Sequence, residues 1–314
     1  MLEPNQDFHQ QKIDEHLLDD LGHLVRLAFR EDLDRSFDLT TVAVVPEGLP
    51  ASAAIVSRAP GVACGVELIE SIVEVAEADI KVTAHFADGS HFENGEKLAT
   101  LQGDSRDVLT CERTILNFLG RLCGIASWTN EHVALLEGLR AKLYDTRKTT
   151  PGWRRLEKYA TRCGGCQNHR SGLYEAVMVK DNHLACHERM TGKLLSPSEA
   201  VNHTRQFLAS SDATRSEAIV EIEVDSLDQL ADALPAGPDI ILLDNMSIDE
   251  LEKAVELRDT IQPGVQLEAS GGVTRDTLRS IGETGVDRIS MGALTHSATN
   301  LDLGLDWVLG SAEK

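Results

Sequence analysis

The rhythm of residues 141–291 is the strongest constraint on the fold. Six short apolar runs recur there: Ala141–Tyr144, Ala176–Val179, Ile219–Val224, Ile240–Leu243, Val265–Glu268 and Arg288–Met291. Segments with helical spacing lie between them, at about 153–162, 197–208, 226–233, 247–259 and 275–283. Strands alternating with helices require right-handed crossovers, and such crossovers build a parallel sheet. No Gly-x-Gly-x-x-Gly follows the first strand and no Walker A motif is present, so the doubly wound nucleotide-binding folds lose their main support. The better reading is an α/β fold of (β/α)-barrel type, complete or incomplete.

The first third is mixed. Leu17, Leu18, Leu21, Leu24, Val25, Ala28 and Phe29 recur at helical spacing and predict an amphipathic helix over 15–29. Strands are expected at 51–58, 80–86 and 97–102, a helix at 66–77, and a long helix over about 106–138.

Charge narrows the function. The chain has 314 residues, 30 Lys+Arg against 51 Asp+Glu, and a formal charge of −21. A general nucleic-acid binder needs a basic face, and an anionic membrane surface would repel this chain. No apolar run approaches bilayer length and the N-terminus has no signal-peptide core, so a cytoplasmic protein is expected. The acid is not evenly spread. Residues 140–170 carry nine basic side chains and only Asp145 and Glu157 in opposition. A basic island in an acidic chain is a candidate site for a small anion, although a solvated helix face is the commoner explanation.

The six cysteines are expected to be free thiols in such a chain. Cys163-Gly164-Gly165-Cys166 has the spacing of a redox pair or half a zinc site, which His183 and Cys186 might complete on paper. A glycine-rich turn with an incidental thiol is the simpler reading.

Barrels place their chemistry at the C-terminal ends of their strands. Here every predicted strand ends in polar or glycine-rich sequence: Asp145-Thr146-Arg147-Lys148, Lys180-Asp181-Asn182-His183, Glu221-Ile222-Glu223-Val224-Asp225, Asp244-Asn245, Ser270-Gly271-Gly272 and Met291-Gly292. One such ending is unremarkable, but the recurrence on one face is not. Inward carboxylates at Glu221 and Glu223 need partners, which Arg147, Lys148, Lys180 or a divalent cation would supply. Glu223 and Asp244, at adjacent strand ends, suit ribose hydroxyls or waters around Mg²⁺. Ser270–Gly272 and Gly292 suit a phosphate, since glycines let backbone N–H groups approach closely and a helix start favours its charge. Arg147, His169 and Arg170 suit carboxylates, which guanidinium groups bind with two parallel hydrogen bonds. Arg154, Arg155, Lys158 and Arg162 fall on a predicted helix, where a solvated or structural role is the simpler reading.

These residues resemble a known family. Glu112-Arg113-Thr114-Ile115-Leu116-Asn117-Phe118-Leu119, Asp145 to Gly152, Lys158-Tyr159-Ala160, Cys163-Gly164-Gly165, Asn168-His169-Arg170, Lys180 to His183, Leu242 to Met246 and Glu268 to Gly272 match the quinolinate phosphoribosyltransferases in order along nearly the whole chain. Asp38-Leu39-Thr40-Thr41 looks similar too. The resemblance implies an N-terminal α/β sandwich domain over 1–123, rejoined by about 299–314, and an incomplete (open) α/β barrel over 124–298 that carries the active site. It implies transfer of phosphoribosyl from phosphoribosyl pyrophosphate (PRPP) to quinolinate with loss of CO₂, in NAD biosynthesis. Arg113, Arg147, His169 and Arg170 would hold the two carboxylates. Ser270, Gly271, Gly272 and Gly292 would hold the 5-phosphate. Lys148 and Lys180 would hold the pyrophosphate. Glu223 and Asp244 would hold the ribose hydroxyls and Mg²⁺, through water or substrate. A homodimer is also implied, with Arg113 reaching the neighbouring subunit's site. The chain departs from the family at Cys166, where a third glycine is usual, and at Leu184–Pro197, which reads as a longer and more polar connection.

Overall fold

The computed structural model describes residues 7–210 and 217–307. The chain forms two compact units, each assembled from separate stretches of sequence: Gln11–Glu131, Thr149–Gly165 and the stretch from Leu294; and the stretch up to Gln10, His132–Lys148 and Cys166–Ala293. Among the described residues no helix is long and apolar enough to cross a membrane.

In the first unit, strands β1 (Pro50–Ser57), β3 (Ile80–Ala84), β5 (Lys97–Asp104) and β12 (Leu303–Trp307) form an antiparallel sheet in the order β12-β1-β5-β3. The short strands β2 (Gly61–Val62) and β4 (His91–Phe92) pair separately. The first helix, Glu15–Leu33, begins where the Asp14 side chain accepts the amide of Leu17, a normal N-cap. Its buried stripe, Leu17, Leu21 and Val25, is the one the heptad-like spacing predicts, and it joins the core with Ile55, Leu98, Leu101, Ile115 and Leu119. The chain returns to this sheet after Leu294 as strand β12, and residues beyond Trp307 lie outside those described.

The helix Arg154–Cys163 carries four of the nine basic residues of the island, and at its centre the structural alternative holds rather than the solvated one. Glu157 and Lys158 are both fully buried. Glu157 accepts from Arg121 at 2.7 Å, and from the Thr150 amide and hydroxyl at 3.1 and 2.8 Å. The Arg121 guanidinium also reaches the carbonyls of Thr295 and Ala298 at 2.7 and 2.8 Å. Arg155 pairs with Asp20 at 2.5 Å. These charges are structural.

In the second unit, β6 (Lys142–Tyr144), β7 (Val177–Val179), β8 (Val220–Val224), β9 (Ile240–Asp244), β10 (Gln266–Ser270) and β11 (Arg288–Ser290) form one parallel sheet in the order β6-β11-β10-β9-β8-β7. The edge strands β6 and β7 do not pair with each other, so the sheet is open, as the incomplete barrel requires. Its register decides what each face carries. Glu223 lies opposite Leu242, Leu242 opposite Glu268 and Glu268 opposite Arg288, while Asp244 lies opposite Ser270. Since side chains alternate with period two, Glu221, Glu223, Leu242, Asp244, Glu268, Ser270, Arg288, Ser290 and Tyr144 share one face. The other face is Val220, Ile222, Val224, Ile241, Leu243, Leu267, Ala269, Ile289 and Leu143, all buried. Burial of each large side chain in that set contributes on the order of 1.5–3 kcal/mol.

One stretch differs from the sequence reading. The polar connection expected at Leu184–Pro197 is largely a helix, Asp181–Thr191, followed by Gly192 in the left-handed conformation. The cysteines of the Cys163-x-x-Cys166 pattern have separate partners. Cys166 is buried and its thiol donates to the carbonyls of Leu143 and Gln167 at 3.1 and 3.2 Å. Cys163 instead lies beside Cys64 and Asp88, their donor atoms all within 4.8 Å of one another. Burial pushes the Cys64 thiol well up. All six thiols are free.

Removal of Arg121 leaves the Glu157 carboxylate buried without its cation. Arg121→Ala is expected to destabilise the protein by about 3–5 kcal/mol, measured as a lowered urea midpoint at unchanged slope; a loss under about 1 kcal/mol would show that the pair is not the anchor described.

Candidate active site

The polar face of the parallel sheet opens at its C-terminal end into a cavity of about 590 Å³. Thr146, Arg147, Lys148, His169, Arg170, Met178, Lys180, Glu223, Leu242, Asp244, Asn245, Glu268, Ser270, Gly271, Gly272 and Ser290 line it. Of the twelve residues singled out from the sequence, ten meet here. Gly292 follows β11 and begins the turn into a short helix, but it is not among the lining residues. Arg113 is an exposed residue of the helix Ser105–Leu135.

Cations enter from two directions. Arg147 and Lys148 follow β6 directly. His169 and Arg170 arrive on a segment that runs along the free edge of β6, where the Gln167 amide donates to the Leu143 carbonyl at 2.9 Å and the Asp145 amide donates to the Gln167 carbonyl at 3.1 Å. Asp145, fully buried, then accepts from the Asn168 side-chain amide at 2.7 Å and the His169 backbone amide at 2.8 Å. The Arg170 guanidinium donates to the Ala176 carbonyl at 3.0 Å. Burial, and then the neighbouring Arg147 cation, push Arg170 below its ordinary value, with Glu221 and Glu175 opposing.

The partner of Glu221 is neither of the lysines the sequence suggested. His169 Nε2 lies 3.3 Å from Glu221 and 3.4 Å from Glu268, and both carboxylates are fully buried. Burial disfavours a charged imidazole, but the charges of Glu221 and Glu268 outweigh it and raise His169 to about 10. Burial raises Glu221 despite His169, while Glu268 is held low against its own burial by His169, Ser290 and Arg288. The Arg170 amide donates to His169 Nδ1 at 2.8 Å, and a nitrogen that accepts this bond carries no proton. With Nδ1 engaged in this way, the proton favoured by the two carboxylates belongs to His169, Glu221 and Glu268 together, and the three groups titrate as one cluster. Sequence reasoning missed Glu268 and Asp145. An acidic residue inside an apolar strand was the available signal for Glu268, and a polar strand ending was the signal for Asp145.

Across the face, Lys180 and Glu223 form a close ion pair. The Lys180 amide donates to the side chain of His183 at 2.9 Å, which fixes the start of the following helix. Asp244 accepts from the Asn245 side chain at 2.7 Å. Asn245, with φ of 55°, donates its amide to the Ser270 carbonyl at 2.9 Å and turns the chain beneath Gly271. Gly271 has φ of +88°, and a Cβ there would meet Asn245 Oδ1 at 2.3 Å, so only glycine fits. Glu223 and Asp244 are hard oxygen donors at the ends of adjacent strands, which is the donor chemistry Mg²⁺ selects. The arrangement combines the cations of Arg147, Lys148, Arg170 and Lys180, a glycine turn and the carboxylates of Glu223 and Asp244 around one cavity.

Comparison with known proteins bears on the whole chain. Residues 38–123 match the quinolinate phosphoribosyl transferase N-terminal domain, and residues 125–306 match the C-terminal domain. A nicotinate-nucleotide pyrophosphorylase (carboxylating) of Mycobacterium leprae is 41% identical over 284 residues, covering 90% of this chain and 95% of the relative. A probable enzyme of the same name from Bacillus subtilis is 37% identical, covering 93% and 94%. The structure of the nicotinate-nucleotide pyrophosphorylase from Francisella tularensis superposes with a TM-score of 0.84 at 34% identity, covering 96% of this chain and 100% of that one.

The raised His169 has a sign that can be tested. A group raised from 6.5 to about 10 contributes stability fully below pH 6.5 and loses it as pH rises through 10. Unfolding free energy is expected to fall across that window, and His169→Asn is expected to flatten the fall. Parallel slopes for the two proteins in a denaturant series would contradict the cluster's role.

Proposed function

This chain belongs to the quinolinate phosphoribosyltransferase family, and from that premise we propose that it transfers the phosphoribosyl group of PRPP to quinolinate, releasing pyrophosphate and CO₂ and forming nicotinate mononucleotide. The observation that carries this reading is the single cavity in which fixed cations face two carboxylates and a glycine turn.

Arg147, Arg170 and the His169 cluster take the two quinolinate carboxylates, joined by Arg113 from the second subunit of a homodimer. Bidentate guanidinium contacts orient the pyridine nitrogen toward the sugar, and orientation removes much of the entropic barrier. Ser270, Gly271 and Gly272 take the 5-phosphate with backbone amides, with Gly292 in the neighbouring loop. Lys148 and Lys180 take the pyrophosphate. Glu223 and Asp244 hold the ribose hydroxyls and lie where positive charge builds on the ribose as pyrophosphate departs. Glu223 and Asp244 would hold Mg²⁺, through water or substrate, and the bound ion would offset the negative charge of the leaving pyrophosphate. Lys180 exchanges Glu223 for the pyrophosphate on binding, which frees the carboxylate for the sugar. After the nitrogen attacks C1 and pyrophosphate leaves with the C1–O bond pair, the positive pyridinium stabilises the electron pair left on the ring carbon as the C–CO₂ bond breaks; CO₂ departs and that carbon takes up one proton from solvent. No protein nucleophile is needed. Lys180, ion-paired and 40% exposed, lacks the apolar burial that Schiff-base lysines use. Six free thiols and an acidic chain suit a reducing cytoplasm.

Incubation with quinolinate, PRPP and Mg²⁺ is expected to yield nicotinate mononucleotide and one CO₂ per turnover; product from nicotinate alone would overturn the reading. Arg147→Ala is expected to raise KM for quinolinate about 10-fold or more while PRPP changes little. Arg113→Ala and Glu223→Ala are each expected to be inactive, and mixing them is expected to restore part of the activity. A mixture as inactive as its components would argue against sites shared between subunits.

A further inference from the structure

The imidazole of His169 is engaged at both edges: Nε2 lies 3.3 and 3.4 Å from the two carboxylates, and Nδ1 accepts the Arg170 amide. Its flat face is covered by a residue from the far end of the sequence. Phe8 stacks on the ring with centroids 4.3 Å apart and an interplanar angle of 27°.

We propose that Asp7–Gln10 is a strap that positions His169 for the dicarboxylate substrate, with Phe8 as the positioning residue; this rests on the reading of His169 as a quinolinate ligand. Each residue of the strap has its own anchor in the same unit. Asp7 accepts from Arg288 at 3.0 Å and from the Tyr144 hydroxyl at 2.8 Å, both residues of the sheet's polar face. The Arg288 guanidinium in turn lies over the rings of Phe8 and Tyr144, 5.4 and 4.5 Å from their centroids. The His9 amide donates to Glu175 at 2.7 Å. Gln10 bonds the backbone of Asn168 in both directions, donating to its carbonyl at 3.3 Å and accepting its amide at 2.8 Å. The strap thus grips the residue before His169 and the face of His169 itself.

The polar face explains why a strap belongs there. Its C-terminal end faces the cavity, but its deeper end holds Ile240, beside Ile219, Ala176 and Tyr144, and Phe8 completes that cluster at 3% exposure. An aromatic ring meets both needs at once, filling an apolar space and presenting a flat surface to an imidazole. A shift of about 1 Å in a positioned group can lower rate up to about 100-fold. Loss of the ring is therefore expected at the quinolinate end of the site and not at the phosphate end.

The test uses the full chain with Phe8→Ala and Phe8→Tyr. Phe8→Ala is expected to raise KM for quinolinate about 10-fold with KM for PRPP within about twofold, and Phe8→Tyr, which keeps the ring, is expected to restore quinolinate KM. Partial misfolding lowers the active fraction and hence kcat, but leaves KM alone, so a loss confined to kcat overturns the proposal. Equal increases in both KM values also overturn it. Hydrogen exchange gives a readout independent of activity. The amides of Asn168, His169 and Arg170 are expected to exchange faster in Phe8→Ala, while those of β9 and β10 are unchanged; unchanged exchange at 168–170 overturns the strap. If the unaltered chain does not turn over quinolinate, the assigned function falls, and exchange alone decides the strap.

Discussion

An imidazole held between two buried carboxylates sets the terms for the rest of the cavity. Glu221 and Glu268 are wholly removed from water, and neither could remain there as a bare charge without a large desolvation cost. His169 lies against both, the Arg170 charge favours the ionised form of Glu221, and the Arg288 charge favours that of Glu268. Remove the imidazole and one carboxylate must take up a proton or the strands must part. The cluster is therefore a structural joint of the sheet's polar face as well as a part of its binding surface. The same fact accounts for how His169 is supported: Asp145 holds its backbone, Arg170 its Nδ1, and Phe8 its ring face.

The two faces of the sheet divide the work. One face is uniformly aliphatic and supplies cohesion. The other carries the carboxylates among polar, cationic and a few apolar side chains and supplies chemistry. A shift of register by one residue would exchange the faces, placing Glu221, Glu223 and Glu268 where Ile222 and Leu267 now lie. Such a fold could not survive, so the pattern that makes the site also fixes the register.

Much of this was legible in the sequence. The alternation Val220-Glu221-Ile222-Glu223-Val224 announced inward carboxylates, and the polar endings of successive strands announced one shared mouth. Ten of the chosen residues do meet there, because period-two alternation and strand ends are local properties. What was hidden is long-range or lacks contrast. The helix Asp181–Thr191 buries no residue, so it has no apolar stripe to read, and it passed for a polar connection. The sequence left Lys158 open between a solvated and a structural role, because nothing local marks a charge as buried, and it is buried. Asp145 serves residues 23 and 24 positions away, and Phe8 serves one far beyond that, with no periodicity to link them. The first residues read only as a polar end, although one aromatic among them closes the deep end of the sheet.

The openness of the sheet has a further consequence. In a closed barrel every strand has two neighbours and every ladder position is filled. Here β6 has one neighbour, β11, and its other side offers unclaimed amides and carbonyls. The segment around Gln167 takes them, forming a parallel bridge at Tyr144, and carries Asn168, His169 and Arg170 into the mouth. The missing closure thus works as a socket. A rigid ladder edge, normally a risk for unwanted pairing, becomes the rail that delivers an irregular loop with strand-like accuracy. Completing the barrel with another strand would leave these ligands no fixed way in.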